Sequence, residues 1–438
     1  MKNVKILLIL SIIGSFSFGL VLTKQYPQIF DFIKGVSSGV KHSIDPPKIT
    51  KDFVINGKKE VVKRIETNSF VISVENTTDT SIKDLVKDRD ATNQHKNAGL
   101  YGVIINNKIH IRYFTRNGYE INNGIVKKYL LPKTYDPHNS KGGIRGIFFF
   151  KNEPYAWMAS KKINCHYASI VNLNRSKEIF NTDCLVDLPN INYDGVGGAS
   201  IHKDNEILLT TGTPANNSDR IRNLGQNNES YFGKILAINK QDLENFDYNN
   251  DELIKPRIFT SGHRNPQGMA SINNNYYSTE HGPKGGDEIN LITESGNYGW
   301  PISSYGTKYF LEPDSDYNKG ELLEKFYKNS HTGNGFVEPV FQFTPSIGIA
   351  ALTNCPKVLK NYYKRQNCLL ATSLKDKSLY VLILDEINGD RLVGFEKITF
   401  ERRLRNFALD YQGKLFEDQN SIYISTDDGY VLKITFNL

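Results

Sequence analysis

Polar side chains able to bind a ligand or move a proton concentrate in four short stretches of this chain. GHRNPQGMA at 262–270 and EHGPKGGDEINLITESGNYGWP at 280–301 carry His263, Arg264, Asn265, Gln267, Glu280, His281, Asp287 and Glu288. Glycine and proline punctuate both, and turns of that composition fix an unusual backbone path from which side chains can be aimed at one point. ATSLKDKSL at 371–379 contributes Lys375, and RRLRNFALD at 402–410 contributes Arg403 and Arg405. The alternation of those two arginines puts both guanidinium groups on one face of a strand. Arginine grips carboxylates in a two-pronged way and keeps its charge when partly buried. A ligand that met Arg264, Lys375, Arg403 and Arg405 together would therefore be a polyanion. Taken singly, each is a surface charge and each turn a connector, so a site exists only if the fold brings them together.

Strands can do that. The tyrosine-rich run at 273–278 reads as a strand, which places the two polar turns at strand ends. Six times along the chain a strand-like run is followed, after a turn or a longer loop, by a second run ending in alternating aliphatics. The pairs are 107–114 with 124–131, 153–160 with 167–173, 205–212 with 233–239, 274–282 with 287–293, 366–374 with 378–385, and 420–427 with 429–436. A small antiparallel sheet cannot bury its faces alone, so such units stack radially into a closed ring whose function gathers at one mouth. The expectation is an all-β, six-bladed β-propeller over 49–438. The segment at 50–76 should add an outer strand to one blade, and 302–335, with TKYFLEPDSDYNKGE at 307–321, should form an insertion loop near the mouth. A β-sandwich with a second domain is the competing architecture.

Composition agrees with strands. The chain has 438 residues, 24 Tyr and 24 Phe with only 3 Met, which suits one large closed β architecture. The net charge of +7 comes from lysines scattered among asparagines and glutamates, without an arginine-rich block, so nucleic acid is not an expected partner. Lys2 and Lys5 precede the uncharged run 6–22, which reaches roughly 25 Å as a helix, the short limit for a membrane span. Residues 1–24 therefore read as a signal peptide or a membrane anchor, and 25–48 as a short helix and linker. Either version exports the downstream chain, to the periplasm or the outer face of the inner membrane. The four cysteines of an exported chain are expected as local disulfides, Cys165 with Cys184 and Cys355 with Cys368, rather than as free thiols.

GHRNPQG followed by EHGP, GGDEIN and NYGWP resembles the signature of the soluble glucose/sorbosone dehydrogenases, or aldose sugar dehydrogenases, which depend on pyrroloquinoline quinone (PQQ). FGKILAIN at 232–239 and EPVFQFTPSIGIAAL at 338–352 resemble further segments of that family. The resemblance covers most of 95–438 and implies a six-bladed propeller that oxidises a small-molecule sugar or alcohol. It implies that Arg264, Asn265 and Lys375 reach the quinone, that Arg403 and Arg405 offset its three carboxylates, and that His281 touches the cofactor. It further implies a Ca2+ ion held by the consecutive backbone carbonyls of Gly282 and Pro283, a hard cation on oxygen ligands that would polarise a quinone carbonyl. Asp287 and Glu288 then read as turn and supporting groups. No pattern in the chain specifies the electron acceptor.

One departure from the family stands out. The histidine that takes the substrate's hydroxyl proton in these enzymes aligns with Gly195 in NYDGVGGASI at 192–201, and glycine has no proton acceptor. Asp194 and His281 are the candidate replacement bases. Loss of a general base costs about 10² to 10⁴ in rate. The alternative reading is accordingly a catalytically silent propeller whose cationic cavity binds a sugar, another anionic ligand or a protein partner.

Overall fold

A computed structural model of the chain describes residues 49–54, 61–67, 69–79, 82, 97–137, 141–186, 191–214, 218–307, 327–328 and 330–438. The expected leader, short helix and linker, and nearly all of the expected insertion at 307–321, lie outside the described residues. The unit from Ile49 to Leu438 is built almost wholly of antiparallel strands.

Four sheets contain four strands each, and a ten-stranded sheet joins two further groups edge to edge. The six blades begin with the innermost strands Asn97–Ile105, Ile144–Phe150, Ser200–Lys203, Pro266–Ile272, Ile349–Asn354 and Leu404–Leu409. Each innermost strand packs against that of the next blade, and the sixth against the first, so the ring is closed. This is the six-bladed propeller that the sequence predicts.

The middle strands explain why most of the pattern is legible. Cys368–Ser373 and Ser421–Thr426 are buried at every residue, because both faces of a blade pack on neighbouring blades. Strands buried on both faces read as continuous apolar runs. Tight hairpins join them through left-handed residue pairs, Asn106-Asn107 at φ 50° and 59° and Asn273-Asn274 at φ 50° and 66°. Asparagine tolerates that conformation better than other side chains do. The first expected pair is the exception, since the short polar strand Tyr119–Asn122 intervenes and Ile125–Lys128 is the fourth strand of blade 1 rather than its third.

Blade 6 takes its outermost strand from the other end of the chain. Val71–Asn76 pairs antiparallel with Val431–Asn437, from Val71↔Asn437 to Asn76↔Leu432, as expected of the 50–76 segment. Val61–Glu66 and Ile49–Val54 extend the same sheet outward. Disulfides join Cys165 to Cys184 and Cys355 to Cys368, the two local pairings expected.

Blades also meet through single polar contacts. His202, on the innermost strand of blade 3, donates from Nε2 to the carbonyl of Phe149 in blade 2 at 2.9 Å. Its Nδ1 is buried without a partner among the described residues. Protonation would create an N–H there with no acceptor, and burial, helped by the Lys240 charge, lowers the imidazole to about 4. An unfolded histidine titrates near 6.5, so the unfolded chain binds the extra proton first. The stability contributed by the neutral ring is complete above pH 6.5 and is lost as pH falls toward 4, by up to about 3 kcal/mol. Urea unfolding at pH 7 and pH 4.5 should therefore show a smaller acid loss for His202→Gln than for the parent, whereas equal losses would place the acid sensitivity elsewhere.

Candidate active site

The start of each innermost strand and the end of the strand beside it lie at one mouth of the ring. Register fixes this: Asn97 faces Thr115, Ser200 faces Leu209, Pro266 faces Glu280, Ile349 faces Ser373 and Leu404 faces Thr426. Chain segments immediately beyond these residues therefore share the mouth. They contain Arg116, Asp194, Arg264, His281, Lys375, Arg403 and Asp427, with Arg145 and Arg405 the second residues of their strands.

The turns at 262–267 and 280–283 are locked to one another. His263, with no exposed surface, contacts Glu280 Oε2 through Nδ1 at 2.9 Å and Thr260 Oγ1 through Nε2 at 2.8 Å, and stacks on Tyr298. The backbone N–H of Arg264 donates to Glu280 Oε1, its Nη1 donates to the carbonyl of His281 at 2.9 Å, and the N–H of His281 donates to the carbonyl of Asn265 at 3.1 Å. The Arg264 guanidinium also lies over the Trp300 ring, 5.3 Å from its centre. Asn265 accepts from Gln267 Nε2 at 2.6 Å. Sequence alone offers most of these side chains as candidate ligands, but His263 and Glu280 are the fasteners that hold the others.

His281 stands where several charges meet. Burial first, and then the guanidinium groups of Arg264 and Arg405, lower its imidazole to about 4 against the opposing pull of Asp287 and Glu280. Arg264 belongs to the turn entering blade 4 and lines a small cavity with His281, whereas Arg405 belongs to blade 6 and lines the central one. Arg403 and Arg405 both point to Asp427: Arg403 Nε contacts Oδ2 at 2.8 Å, and Arg405 Nε contacts Oδ1. They share a carboxylate as their alternation predicts, but Arg403 is half exposed while Arg405 lines the central cavity. Lys375 is exposed on the turn between the second and third strands of blade 5, and its backbone N–H donates to the carbonyl of Ile347.

Two arginines that sequence reasoning passes over line the same cavity. Arg116, in the hairpin Thr115-Arg116-Asn117-Gly118, is 6% exposed, and Arg145 opens the innermost strand of blade 2. Burial, then the Arg145 and Arg405 charges, hold Arg116 well below the usual guanidinium range. Burial and Arg405 also lower Arg145, although it donates to Asp194 Oδ1 at 3.2 Å. The Asp194 carboxylate is half exposed, while Gly195 is buried with its carbonyl 2.1 Å from where a Cβ on Gly212 would stand. The signal that could have found both arginines is their position: each is a lone arginine near glycine at a strand end, as Arg264 is.

The turn from Gly282 to Asp287 is backbone-lined. A Cβ on Gly282 would lie 2.2 Å from the carbonyl oxygens of both Gly285 and Gly286, so only glycine fits and main-chain oxygens crowd the turn. Among the described residues no three His, Cys, Asp or Glu side chains gather as a side-chain metal site would require. Asp287 is spent on structure, with Oδ1 accepting from Gly282 N–H at 3.1 Å and Ser346 at 2.6 Å, and Oδ2 from Gly348 and Ile349 N–H at 2.7 and 3.0 Å. Burial and the neighbouring Glu280 hold the Glu288 carboxyl well above the usual range.

A closed six-bladed ring of this kind has counterparts among known proteins. Residues 162–431 match the Glucose / Sorbosone dehydrogenase family, and the chain belongs to it. An uncharacterized protein of Synechocystis sp. (strain ATCC 27184 / PCC 6803 / Kazusa) is 29% identical over 229 residues, covering 50% of this chain and 52% of its own length. The aldose sugar dehydrogenase YliI of Escherichia coli (strain K12) is 32% identical over 191 residues, covering 41% of this chain and 44% of its own. The chain thus spans about half the length of the curated relatives it matches. In structure it resembles the PQQ-bound aldose sugar dehydrogenase of Streptomyces coelicolor with a TM-score of 0.52 at 17% identity, over 84% of this chain and 98% of the other, which supports the fold.

Because Asp287 satisfies four donors from two blades, its removal leaves buried N–H groups without partners. Asp287→Ala should cost about 3 kcal/mol in chemical unfolding. Asp287→Asn should not restore it, since both oxygens accept and an amide supplies only one acceptor. Full stability in the asparagine variant would contradict this role for the carboxylate.

Proposed function

We propose that the chain is a PQQ- and calcium-dependent dehydrogenase that oxidises the C1 hydroxyl of an aldose or a related alcohol at this mouth. The observation that carries the reading is the joint action of Arg264 and Arg405, from blades 4 and 6, on His281 beside the Gly282-Pro283 turn. A tricarboxylate seated between them would neutralise charges that otherwise repel. Arg264, Asn265, Lys375, Arg403 and Arg405 are the residues that would hold the quinone, with His281 against it. The oxygen-rich turn at Gly282 and Pro283 suits a hard cation, which would rest on main-chain carbonyls. When bound, the quinone would accept the two electrons and the hydrogen leaving C1.

The remaining work falls to protein side chains. Asp194 and His281 are the proton acceptors this mouth offers in place of the family histidine. Asp194 is accessible and fixed by Arg145, whereas His281 is neutral and held by the locked turns. Exported, disulfide-bonded protein would meet its sugar outside the cytoplasm, and the two bridges suit an oxidising compartment.

Titration of the purified chain with PQQ and Ca2+ tests the reading. It should raise the melting temperature, and dye reduction with aldoses should follow. Arg405→Ala should weaken PQQ binding by about tenfold or more, and Asp194→Asn should lower kcat by about 10² or more if that carboxylate is the base. A melting temperature indifferent to PQQ would remove the cofactor assignment. Binding without turnover on any aldose or alcohol would favour the silent propeller.

A further inference from the structure

Arg116 is a buried cation aimed into a cavity. No hydrogen bond from its guanidinium is formed among the described residues, although the side chain is 6% exposed and lines the central cavity beside Arg145, Arg405 and Gln267. Burying an unpaired charge is costly, and burying it beside two others of the same sign is costlier. Native structures keep such a group where a ligand completes it.

Charge balance shows what the ligand adds. The cations assigned to the quinone are Arg264, Lys375, Arg403 and Arg405, of which the last two share the Asp427 carboxylate. The remaining positive charge matches the three carboxylates of the quinone. Arg116 and Arg145 stand outside that set; Asp194 is bonded to Arg145, and it and Asp427 reach Arg116 only through space. Of the three arginines lining the cavity, Arg145 is bonded to Asp194 and Arg405 to Asp427, so the one without a bonded carboxylate is Arg116, on the Asp194 side where the sugar would sit. A site for a neutral aldose would be built from hydroxyl, amide and carboxylate groups, because a sugar hydroxyl cannot repay the desolvation of a guanidinium.

We infer that the substrate is an acidic sugar, and that Arg116, with Arg145 beside it, forms the subsite for its anionic group. This rests on reading the mouth as a sugar-oxidising site and narrows it. A carboxylate fits the single uncompensated charge, and a phosphate ester offers the same chemistry with more charge. Arg145 then has two tasks, since it also positions Asp194.

Isothermal titration of the full chain with glucuronate, glucose 6-phosphate, glucose and inorganic phosphate tests this, each with and without PQQ and Ca2+. An acidic sugar should bind about tenfold or more tightly than glucose, in a salt-sensitive manner, and the stronger of the two acids identifies the group. Arg116→Gln should abolish that preference while PQQ affinity stays at the parental value and the melting temperature does not fall, and Arg116→Lys should recover part of the preference. Equal affinity for glucose and both acids would overturn the inference, as would inorganic phosphate binding as tightly as either sugar. A loss of PQQ affinity in Arg116→Gln, with the preference intact, would overturn it by assigning the arginine to the cofactor. Acid preference in a chain that binds no PQQ would instead remove the cofactor assignment and leave this subsite standing.

Discussion

Closure of the ring is the constraint on which everything at the mouth depends. Blade 6 is assembled from both ends of the folded unit, with Val71–Asn76 zipped onto Val431–Asn437, and its innermost strand pairs in parallel with that of blade 1 through Ala408↔Leu100 and Leu409↔Tyr101. A buried amide network reinforces the seam: Asn97 Oδ1 accepts from Asn406 Nδ2 at 2.6 Å and from Ser425 Oγ at 2.9 Å, while its own Nδ2 donates to the carbonyls of Gly99 and Phe114. Joining segments more than 350 residues apart costs little more than joining nearer ones, because closure entropy grows only with the logarithm of loop length. What the seam holds is electrostatic. Arg405, Arg116 and Arg145 come from blades 6, 1 and 2; Arg145 and Arg405 disfavour the charge on Arg116, and Arg405 that on Arg145. Three guanidinium groups that repel one another stay together because the strands carrying them cannot part.

Across the cavity, the turns of blade 4 solve a different problem. A side chain on a glycine-rich turn is useful only if the turn cannot relax. The His263–Glu280 pair, out of water and flanked by Thr260 and Tyr298, fastens one turn to the other. Asp287 then fastens the second turn to the start of blade 5. Binding groups held in advance lose less ordering entropy when a ligand arrives. Arg264 and His281 are thus set by neighbours that never meet the ligand.

The sequence is informative where burial is two-sided and poor where it is not. Middle strands such as Cys368–Ser373 announce themselves as apolar runs, whereas Phe341–Phe343 has three residues and Tyr119–Asn122 is short and polar, so the edges of the blades carry no periodic signal. Clustered motifs give Arg264, His281, Arg403 and Arg405 their candidacy, and the resemblance gives them roles. Side-chain direction is beyond reach: alternation puts Arg403 and Arg405 on one face, but only the packed blade shows that both turn to Asp427 and that Arg405 alone enters the cavity. Arg116 and Arg145 are single residues at ordinary strand ends, 29 positions apart by their numbering, and acquire meaning only when blades 1 and 2 are stacked.

The glycine at 195 and the arginine at 145 shape one loop of the mouth. Gly195 presses its carbonyl against Gly212, whose own Cβ would collide both with it and with the carbonyl of Arg264 at 2.5 Å, so the 192–198 loop and the 262–267 turn meet backbone to backbone. Gly195 offers no side chain to the mouth, and the Arg145 guanidinium reaches the neighbouring Asp194. The result is an ion pair with its cation buried and its anion in contact with solvent. Such a pair can orient an anionic partner as well as accept a proton.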